Sequence, residues 1–442
     1  MKMIQEIHVL RVKNSLQGSI VMPGDKSCSH RSLMIASQMT GSTTITGLLE
    51  SDDVMATKDA LIDFGVKIEK KGKNWLVDGL GLGNLTTPDN VIDLGNSGTG
   101  VRLLMGLICT MNVNVILTGD RSLRSRPMAR VIKPLKKYAV EFGARDDNYL
   151  PVHVEGNMFA TAINHKITVP SAQVKSALLF AALNAHGESS FIETVLTRDH
   201  TEIMMKYLGF NITEEIIDNQ KHITINADQE LPAKDITISG DPSSAAFLIA
   251  AAILIPDSKI TVKNVLMNEH RIGFYKILEL MNANISFNNV REVSGEQVAD
   301  IEASYSNLQA VDIAASYAPS TIDEYPILAI LSSQAKGVTR MNGLQELKVK
   351  ESNRLDAIVE NLRKCQIDVS CGKDWMEIRY SPNIEATDII NTYHDHRIAM
   401  SFIILGLISK NGITIDDITM INTSFPGFFD KLKELGADII KK

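Results

Sequence analysis

The chain has 442 residues, of which 44% are hydrophobic and 22% are charged, and this is the composition of a globular protein. Its 45 basic and 52 acidic residues give a formal net charge of −7, which argues against a sequence-independent grip on nucleic acid or on an anionic membrane. The four cysteines form no CxxC pair, so we expect neither a disulfide framework nor a zinc site, and a reducing cytoplasm is the simplest setting.

The predicted elements begin with strands in residues 1–22, where polar and apolar residues alternate instead of forming the apolar core of a signal peptide. From there on, a pattern of strand, loop, amphipathic helix and strand recurs six times, about every 74 residues. Each amphipathic helix is expected to end near a glycine or its equivalent. These aligned positions are Gly65, Gly143, Gly209, Asn282, Lys364 and Gly436.

Each period also contains a second helix, which is nearly all apolar and rich in small residues. Such a helix is predicted to be buried on all sides. In chain order the six segments are 29–39, 97–109, 171–185, 242–254, 324–335 and 396–408. The polar residues expected near their N-terminal caps are Ser27, Asn96, Ser171, Asp241, Asp323 and Asp395. The longest apolar run, residues 245–255, is too short to cross a bilayer.

Six units of this size suit two α/β domains of three units each. The strands at the start of the chain need partners, and turns at residues 23–24 and 239–242 are two places where the chain can cross between domains. We therefore expect residues 1–22 plus 240–442 to form a first, discontinuous domain and residues 23–239 to form the second. The active site is expected in the cleft between them.

Basic and hydroxyl residues cluster where the buried helices of the first half begin. In residues 23–31 (PGDKSCSHR), glycine lets the backbone approach a ligand, and Lys26, Ser27 and Arg31 can meet an anion at a helix N-terminus. Residues 94–102 (LGNSGTGVR) repeat this design with three glycines. Taken singly, the first segment is equally well explained as an ordinary capped helix, and the second is more simply explained as a tight strand-to-helix turn.

Three further segments of the first half have the same character. Residues 118–128 (TGDRSLRSRPM) contain three arginines, which in an acidic protein favour a carboxylate or a phosphate over a solvated turn. Residues 171–176 (SAQVKS) open a buried helix, and residues 198–201 (RDHT) form a loop. For either of these alone, a structural role as cap or loop residues is the simpler interpretation.

The second half supplies candidates for an acid and a base. Asp323 precedes an apolar helix, where a carboxylate can act as a general base or simply as an N-cap. Residues 346–354 (ELKVKESNR) place Lys350 and Arg354 on one helix face with Glu351 beside them, as an ordinary charged surface helix also would.

Residues 394–397 (HDHR) have the His-x-His spacing of some metal sites. No further ligands follow at a recognisable spacing, and Arg397 would repel a cation, so no metal is predicted. Glycine, hydroxyl and basic residues instead occupy corresponding helix starts or loops in several periods. We therefore expect a ligand with more than one anionic group.

Ten motifs follow one another along the chain from Pro23 to the SFPxF motif that begins at Ser424: PGDKSxSHR, GNSGTxxR, RPM, SAQVKSA, RDHTE, GDxSSAAF, DExP, KxKESxR, DHRxAM and SFPxF. In these motifs and in their order the chain resembles the 5-enolpyruvylshikimate-3-phosphate synthase family, the 3-phosphoshikimate 1-carboxyvinyltransferases. The resemblance implies two domains, each of three pseudo-symmetric βαβαββ units around buried parallel helices, the arrangement called an inside-out α/β barrel.

The resemblance also implies a reaction of the shikimate pathway, which leads to chorismate and the aromatic amino acids. The enolpyruvyl group of phosphoenolpyruvate passes to the 5-hydroxyl of shikimate 3-phosphate through a tetrahedral intermediate, and phosphate is released. Asp323 is the implied base and Glu351 the implied acid, with Lys26 as a partner. Neither a metal nor an organic cofactor is implied, and we expect a cytoplasmic monomer that glyphosate inhibits.

The residues carried over from the family divide into two substrate sets. The expected shikimate 3-phosphate ligands are Lys26, Ser27, Arg31, Ser171, Ala172, Gln173, Arg198, Asp323 and Lys350. The expected phosphoenolpyruvate ligands are Lys26, Asn96, Gly98, Thr99, Arg126, Gln173, Arg354, His396 and Arg397.

Two positions depart from the family pattern. Thr423 precedes the final Ser-Phe-Pro, where some members carry a lysine, and Cys28 stands where an aliphatic residue is more usual. Two alternatives remain open: a UDP-N-acetylglucosamine enolpyruvyl transferase, disfavoured because residues 121–128 lack the reactive cysteine common in that family, and a non-catalytic anion-binding homologue. Retention of both Asp323 and Glu351 speaks against the second alternative.

Overall fold

A computed structural model describes residues 5–227 and 229–438 of the chain. The chain divides into two compact units. Unit 1 comprises Met1–Pro23, Ser239–Arg291 and Gln297–Lys442, and unit 2 comprises Gly24–Ile238 and Glu292–Glu296. Within the described ranges, no helix combines the length and the apolar character that crossing a membrane requires.

The helices of the described residues include the six predicted apolar ones and six amphipathic ones. In chain order the helices are α1 (Lys26–Ser37), α2 (Asp52–Asp63), α3 (Gly98–Ile108), α4 (Ala129–Leu135), α5 (Ala172–Ala182), α6 (His200–Tyr207), α7 (Pro242–Leu254), α8 (Gly273–Leu280), α9 (Ala318–Thr321), α10 (Tyr325–Ser333), α11 (Arg354–Lys364), α12 (His396–Gly406) and α13 (Phe428–Glu434).

The strands are mostly short and lie between these helices. They are β1 (Ile7–Val9), β2 (Gln17–Val21), β3 (Thr40–Thr46), β4 (Lys67–Lys71), β5 (Asn74–Leu80), β6 (Ile92–Asp93), β7 (Asn114–Thr118), β8 (Glu141–Arg145), β9 (Tyr149–Glu155), β10 (Asn164–Ile167), β11 (Glu188–Glu193), β12 (Ile212–Ile217), β13 (Gln220–Asn226), β14 (Ile236–Thr237), β15 (Lys259–Leu266), β16 (Asn284–Val293), β17 (Glu296–Ser304), β18 (Asp312–Ile313), β19 (Val338–Asn342), β20 (Val369–Cys371), β21 (Trp375–Arg379) and β22 (Ile413–Ile415).

The three sheets of unit 2 share one topology. Their strand orders are β14-β3-β5-β4, β6-β7-β9-β8 and β10-β11-β13-β12. In each, the first pair is parallel and the other two pairs are antiparallel. Parallel neighbours need a crossover, which a buried helix supplies, whereas the last two strands form a hairpin. Each sheet with its helices is therefore a βαβαββ unit.

Unit 1 repeats this topology with chain segments from both sides of unit 2. Two four-stranded sheets have the orders β2-β15-β17-β16 and β18-β19-β21-β20. A third set consists of β1 antiparallel to β22, with Ile390 forming a parallel bridge to Ile415. The sixfold α/β repeat predicted from the sequence is confirmed.

The apolar helices form the cores of the units. All residues of α7 are buried, and α7 packs with α10 and α12 inside unit 1, while α3 packs with α1 and α5 inside unit 2. One close approach involves Gly106 of α3, where an added Cβ would lie 2.2 Å from the carbonyl oxygen of Ala177 in α5. Only glycine fits at this crossing, so the small residues of these helices are explained by close packing.

The cap predictions are partly confirmed. Asp241 and Asp395 accept hydrogen bonds from the first N–H groups of α7 and α12. For α1 and α3 the capping side chains are Asp25 and Ser97, so the prediction of Ser27 and Asn96 is wrong by one or two residues. Two of the aligned helix-end positions also differ.

Left-handed residues end the amphipathic helices of the second and fifth periods at Ala139 and Gln366, where φ is +55° and +57°. Gly143 instead lies in β8, and Lys364 is the last residue of α11. The alignment on Gly143 was therefore wrong, whereas α11 does end at Lys364, two residues before the left-handed position.

Candidate active site

The two units each hold part of the predicted site. Unit 2 carries the residues at the starts of its buried helices and in two loops, namely Lys26, Ser27, Arg31, Asn96, Gly98, Thr99, Arg126, Ser171, Ala172, Gln173 and Arg198. Unit 1 carries the acidic candidates and their basic neighbours, namely Asp323, Lys350, Glu351, Arg354, His396 and Arg397.

Lys26 is the first residue of α1, directly after the capping Asp25. Its ammonium group forms an ion pair with Asp53 at the start of α2, and its side chain remains 18% exposed. Asp53 is a residue that sequence reasoning missed. The pair holds the lysine at the N-terminal end of α1, where an anion is also favoured by the helix dipole.

Arg31 lies one turn further along α1 and is buried. Its guanidinium donates to the carbonyl oxygen of Ser27 at 2.9 Å, to Thr201 Oγ1 at 2.7 Å and to Ser176 Oγ at 2.7 Å. Arg31 therefore ties α1 to α5 and α6, besides any contact with substrate.

Asn96 in the loop before α3 contacts Arg126 in the segment before α4. Both residues were predicted to bind phosphoenolpyruvate. Arg126 Nη2 donates to Asn96 Oδ1 at 2.5 Å and to Ser122 Oγ at 3.2 Å. Arg126 is largely buried. A methyl group on Gly98 would lie 2.9 Å from Arg126 Nη1, so the absence of a Cβ leaves the room that this guanidinium occupies.

Arg102 is the main basic residue that sequence reasoning missed in unit 2. Its Nη1 donates to Gln173 Oε1 at 3.0 Å and to the carbonyl oxygen of Gly98 at 3.2 Å. Gln173 in turn donates to Thr99 Oγ1 at 3.0 Å. The signal was the spacing from Gly98 to Arg102, which is one helical turn.

Ser171 and Arg198 mark the other two predicted positions of unit 2. Ser171 occupies the N-cap position of α5, but its hydroxyl makes no capping hydrogen bond, and Ala172 is the first helical residue. Arg198 is partly buried in the loop between β11 and α6.

In unit 1, Asp323 lies beside two cations. Its Oδ1 is 3.2 Å from Arg354 Nη1 and 3.8 Å from Lys350 Nζ. Arg354 also forms an ion pair with Glu351, the other acidic candidate. The structure thus brings together the predicted base, the predicted acid and two predicted cations, and the DExP and KxKESxR motifs meet at one place.

Arg354 is almost fully buried, and a third carboxylate compensates its charge. Its Nε donates to Asp395 Oδ2 at 2.8 Å, and Ser352 Oγ donates to the same oxygen at 3.1 Å. Burial opposes the charge, but Asp395, Glu351 and Asp323 outweigh this effect, so the pKa of Arg354 lies above its ordinary value. Asp395 was predicted only as a cap, and its ion pair could not be inferred from local sequence.

Arg397 follows in the first turn of α12. Its Nη1 donates to the carbonyl oxygen of Asp323 at 3.0 Å and lies 3.6 Å from Glu324 Oε1. Glu324 is buried and accepts a hydrogen bond from Ser243, to which Arg271 donates at 2.9 Å. Glu324, rather than Asp323, also occupies the N-cap position of α10, so that cap prediction is wrong.

Two further residues singled out from the sequence, His396 and Thr423, lie in unit 1. His396 is the first residue of α12 and is buried. Thr423 Oγ1 donates to the carbonyl oxygen of Met420 at 2.7 Å, so this hydroxyl is engaged by its own turn.

One group of side chains in the described ranges has the composition of a metal site. Ligand atoms of Asp25, Cys28 and His200 lie within 4.8 Å of one another, and all three residues are buried. Burial, followed by the charges of Asp25 and Glu296, raises the pKa of the Cys28 thiol, which disfavours the thiolate that a metal would bind. Asp25 is also engaged as the cap of α1. These observations weigh against a metal at this position.

Unit 2 holds the guanidinium groups of Arg102 and Arg126 beside Gly98, and unit 1 holds the carboxylates of Asp323 and Glu351 beside cations. These groups define an α/β enzyme that binds anionic substrates and can transfer protons. A model of the family EPSP synthase, or 3-phosphoshikimate 1-carboxyvinyltransferase, matches residues 10–432, and the chain belongs to this family.

Curated relatives agree with this assignment over almost the whole chain. The 3-phosphoshikimate 1-carboxyvinyltransferase of Rhodospirillum rubrum is 45% identical over 433 residues, which are 96% of each chain. That of Gluconobacter oxydans is 43% identical over 442 residues, which are 99% of this chain and 100% of the relative.

Solved structures show the same fold. EPSP synthase from Acinetobacter baumannii superposes with a TM-score of 0.88 at 35% identity, covering 99% of this chain and 100% of that one. The enolpyruvyl transferase NikO from Streptomyces tendae reaches a TM-score of 0.75 over 99% of both chains, and its 15% identity supports the fold alone. The predicted family, fold class and enzyme class, a transferase of the shikimate pathway, are confirmed, and the UDP-N-acetylglucosamine alternative is not favoured.

Proposed function

We propose that this protein transfers the enolpyruvyl group of phosphoenolpyruvate to the 5-hydroxyl of shikimate 3-phosphate. In the addition step the hydroxyl oxygen bonds to C2 of phosphoenolpyruvate, while the hydroxyl loses a proton and C3 gains one. In the elimination step C3 loses a proton, and the bond between C2 and the phosphate oxygen breaks. The observation that carries the proposal is a chain of ion pairs in which Asp323 contacts Lys350 and Arg354, and Arg354 also contacts Glu351.

Asp323 is proposed as the base that takes the proton of the 5-hydroxyl, and Glu351 as the acid that protonates C3. Both carboxylates contact Arg354, whose own position is held by Asp395. A base and an acid attached to the same buried guanidinium have a fixed separation, which favours proton transfers at two neighbouring atoms of one substrate pair. Lys26 is proposed as a further catalytic partner.

The sugar-phosphate ligands are proposed to be residues that present ammonium, guanidinium, hydroxyl and amide donors. They are Lys26, Ser27, Arg31, Ser171, Ala172, Gln173, Arg198 and Lys350, with Asp323 at the 5-hydroxyl. Charge-assisted hydrogen bonds of this kind favour a dianionic phosphate. The three donor bonds of Arg31 to protein groups indicate that it also orders Ser27.

The phosphoenolpyruvate ligands are proposed to be Lys26, Asn96, Gly98, Thr99, Arg126, Gln173, Arg354, His396 and Arg397. The contacts within unit 2 support this group, because Arg126 contacts Asn96 and Gln173 contacts Thr99. We add Arg102, since its guanidinium lies 3.1 Å from the position of a Cβ on Gly98. Arginine forks match the carboxylate and phosphate of this substrate.

The proposal extends to three properties of the whole protein. No metal or organic cofactor takes part, because the cations of the site can stabilise the charges of phosphate and carboxylate. A cytoplasmic location is supported by four cysteines without disulfides. We also propose that the protein is a monomer. Glyphosate is proposed to inhibit it by competing with phosphoenolpyruvate.

A coupled assay for phosphate release tests the proposal directly. The purified protein should release phosphate only when phosphoenolpyruvate and shikimate 3-phosphate are both present. Replacing shikimate 3-phosphate by UDP-N-acetylglucosamine provides the matched control, and release with that acceptor would instead support the related transferase. Binding of both substrates without phosphate release would identify a non-catalytic homologue.

A further inference from the structure

A network of buried charges lies beneath the loop that carries Arg198 in unit 2. Its central residue is Lys175 of α5, whose side chain is fully buried. Lys175 Nζ lies 2.9 Å from Glu193 Oε2 and 2.8 Å from Glu202 Oε1. Burial opposes its charge, but Glu202 and Glu193 outweigh this effect, and the pKa of Lys175 lies above its ordinary value.

This network binds the residue before Arg198. Glu193, at the end of β11, accepts hydrogen bonds through Oε1 from the backbone N–H of Thr197 at 3.0 Å and from the Thr197 hydroxyl. Lys175 Nζ donates to the carbonyl oxygen of Thr197 at 3.3 Å. The side chain and both backbone polar groups of Thr197 are therefore held by two buried charges.

The residues after Arg198 are held in the same way. Lys221 on β13 lies 3.6 Å from Asp199 Oδ2 and 2.6 Å from Glu214 Oε1. His200, the first residue of α6, forms a 2.6 Å contact through Nδ1 with Glu296 Oε1. Arg198 thus stands between two anchored neighbours, although its loop exposes Val195 and Leu196.

Burying Glu193 and Glu202 with Lys175, and with Lys221 at 4.0 Å from Glu202, is costly unless the geometry and the hydrogen bonds are complete. An apolar core at this place would give comparable stability, so stability alone does not explain the network. The hydrogen bonds to Thr197 supply an explanation, because they fix the backbone next to a side chain that is assigned to the sugar phosphate.

We propose that Lys175, Glu193 and Thr197 are positioning residues for shikimate 3-phosphate, acting through Arg198. They touch no substrate. They limit the orientations of Arg198. Part of the conformational entropy of Arg198 is therefore lost when the protein folds, and less is lost when the substrate binds. The inference rests on the proposed role of Arg198 in binding the sugar phosphate.

A double-mutant cycle tests this inference by calorimetric titration with shikimate 3-phosphate. Thr197→Val keeps the shape and the backbone bond but removes the hydroxyl donor to Glu193. It should raise the dissociation constant about three- to tenfold, the range of one net hydrogen bond. In an Arg198→Gln background the same change should have no further effect, because its action passes through Arg198.

Thr110→Val is the matched control, because Thr110 is a buried threonine of the same unit whose hydroxyl donates to the carbonyl oxygen of Ala181 at 2.9 Å. It should lower thermal stability similarly without changing shikimate 3-phosphate binding. A Thr197→Val enzyme that binds like the parent, or that loses the same factor in both backgrounds, overturns the positioning role. If Arg198→Gln alone leaves binding unchanged, Arg198 does not bind the sugar phosphate, and that part of the proposed function is wrong. The single variant therefore distinguishes an error in the proposed function from an error in the positioning role.

Glu193→Gln provides a second, independent variant. It retains the size of the side chain and an acceptor for the Thr197 N–H, but it removes the charge that pairs with Lys175. The Michaelis constant for shikimate 3-phosphate should rise at least about threefold while that for phosphoenolpyruvate stays within about twofold. An equal rise in both constants would indicate a merely structural role and contradict the proposal.

Discussion

Arg354 donates a hydrogen bond from Nη1 to Oδ1 of Asp323 at 3.2 Å, although Asp323 lies in the turn before α10 and Arg354 begins α11, 31 positions further on. The same guanidinium contacts Glu351 and Asp395. One buried cation therefore sets the positions of the proposed base and the proposed acid.

Neutral amide replacements of the two carboxylates should separate catalysis from binding. Asp323→Asn and Glu351→Gln keep the shape of the side chains and remove their capacity for proton transfer, so each should lower turnover at least about 100-fold. Shikimate 3-phosphate should still bind, as measured by calorimetry. Asp368→Asn, which changes an exposed carboxylate of unit 1, serves as the control and should keep full turnover. Near-normal turnover of either site variant would refute its assigned role.

Gly98→Ala should weaken inhibition by glyphosate more than it weakens binding of phosphoenolpyruvate. The added methyl carbon would lie 2.9 Å from Arg126 Nη1 and 3.1 Å from Arg102 Nη1, so both guanidinium groups must shift. The family inhibitor is slightly longer than the substrate and should lose about 1 to 3 kcal/mol more, as overpacking of a fitted site does. Competitive inhibition constants in the two enzymes measure this difference.

Gly143→Ala provides the control for that experiment, since a Cβ there meets His153 Cβ at an ordinary 3.6 Å. It should leave glyphosate inhibition unchanged. A parent enzyme that tolerates glyphosate, or a Gly98→Ala enzyme that is inhibited as strongly as the parent, would remove the steric explanation.

Arg102→Lys should raise the Michaelis constant for phosphoenolpyruvate about tenfold or more. Lysine keeps the charge but cannot hold Gln173 Oε1 and the carbonyl oxygens of Gly98 and Pro127 at the same time, as the guanidinium does. Steady-state kinetics with each substrate varied in turn provide the measurement. An unchanged constant would show that Arg102 serves only to support the loop.

The buried His30 should make the fold sensitive to mild acid. Burial, followed by the charges of Lys26 and Arg31, holds the pKa of His30 well below its usual value near 6.5. Below that pH the unfolded chain binds a proton that the folded chain does not. The free energy of unfolding should therefore fall as the pH drops below about 6.5, by up to about 1.4 kcal/mol per pH unit.

Urea unfolding at pH 7 and at pH 5.5 should show this loss in the parent and a smaller loss in His30→Asn. His394→Asn is the matched control, because His394 is 78% exposed and has a φ of +57°, which asparagine tolerates. Equal pH dependence in the parent and in His30→Asn would show that other groups cause the acid sensitivity.

The sequence predicted the repeating elements well and the side-chain contacts poorly. The apolar helices were found because their composition is a local property, as in α7, where every residue is buried. Arg102 and Glu324 were missed because their partners come from elements joined only by the fold: Gln173 lies 71 positions from Arg102, and Ser243 lies 81 positions from Glu324. Caps failed by one or two residues, as at Ser97, since neighbouring polar residues can all cap.

The interrupted path of the chain through unit 1 has a consequence for biosynthesis. Strand β2 pairs with β15, and β1 pairs with β22 near the other end of the chain, whereas the sheets of unit 2 are complete once β14 has been made. At about 5 to 20 residues per second on the ribosome, β1 waits about 20 to 80 s for its partner. The residues of β1 are therefore among the last to be paired, and the nascent chain must carry them unpaired while unit 2 folds.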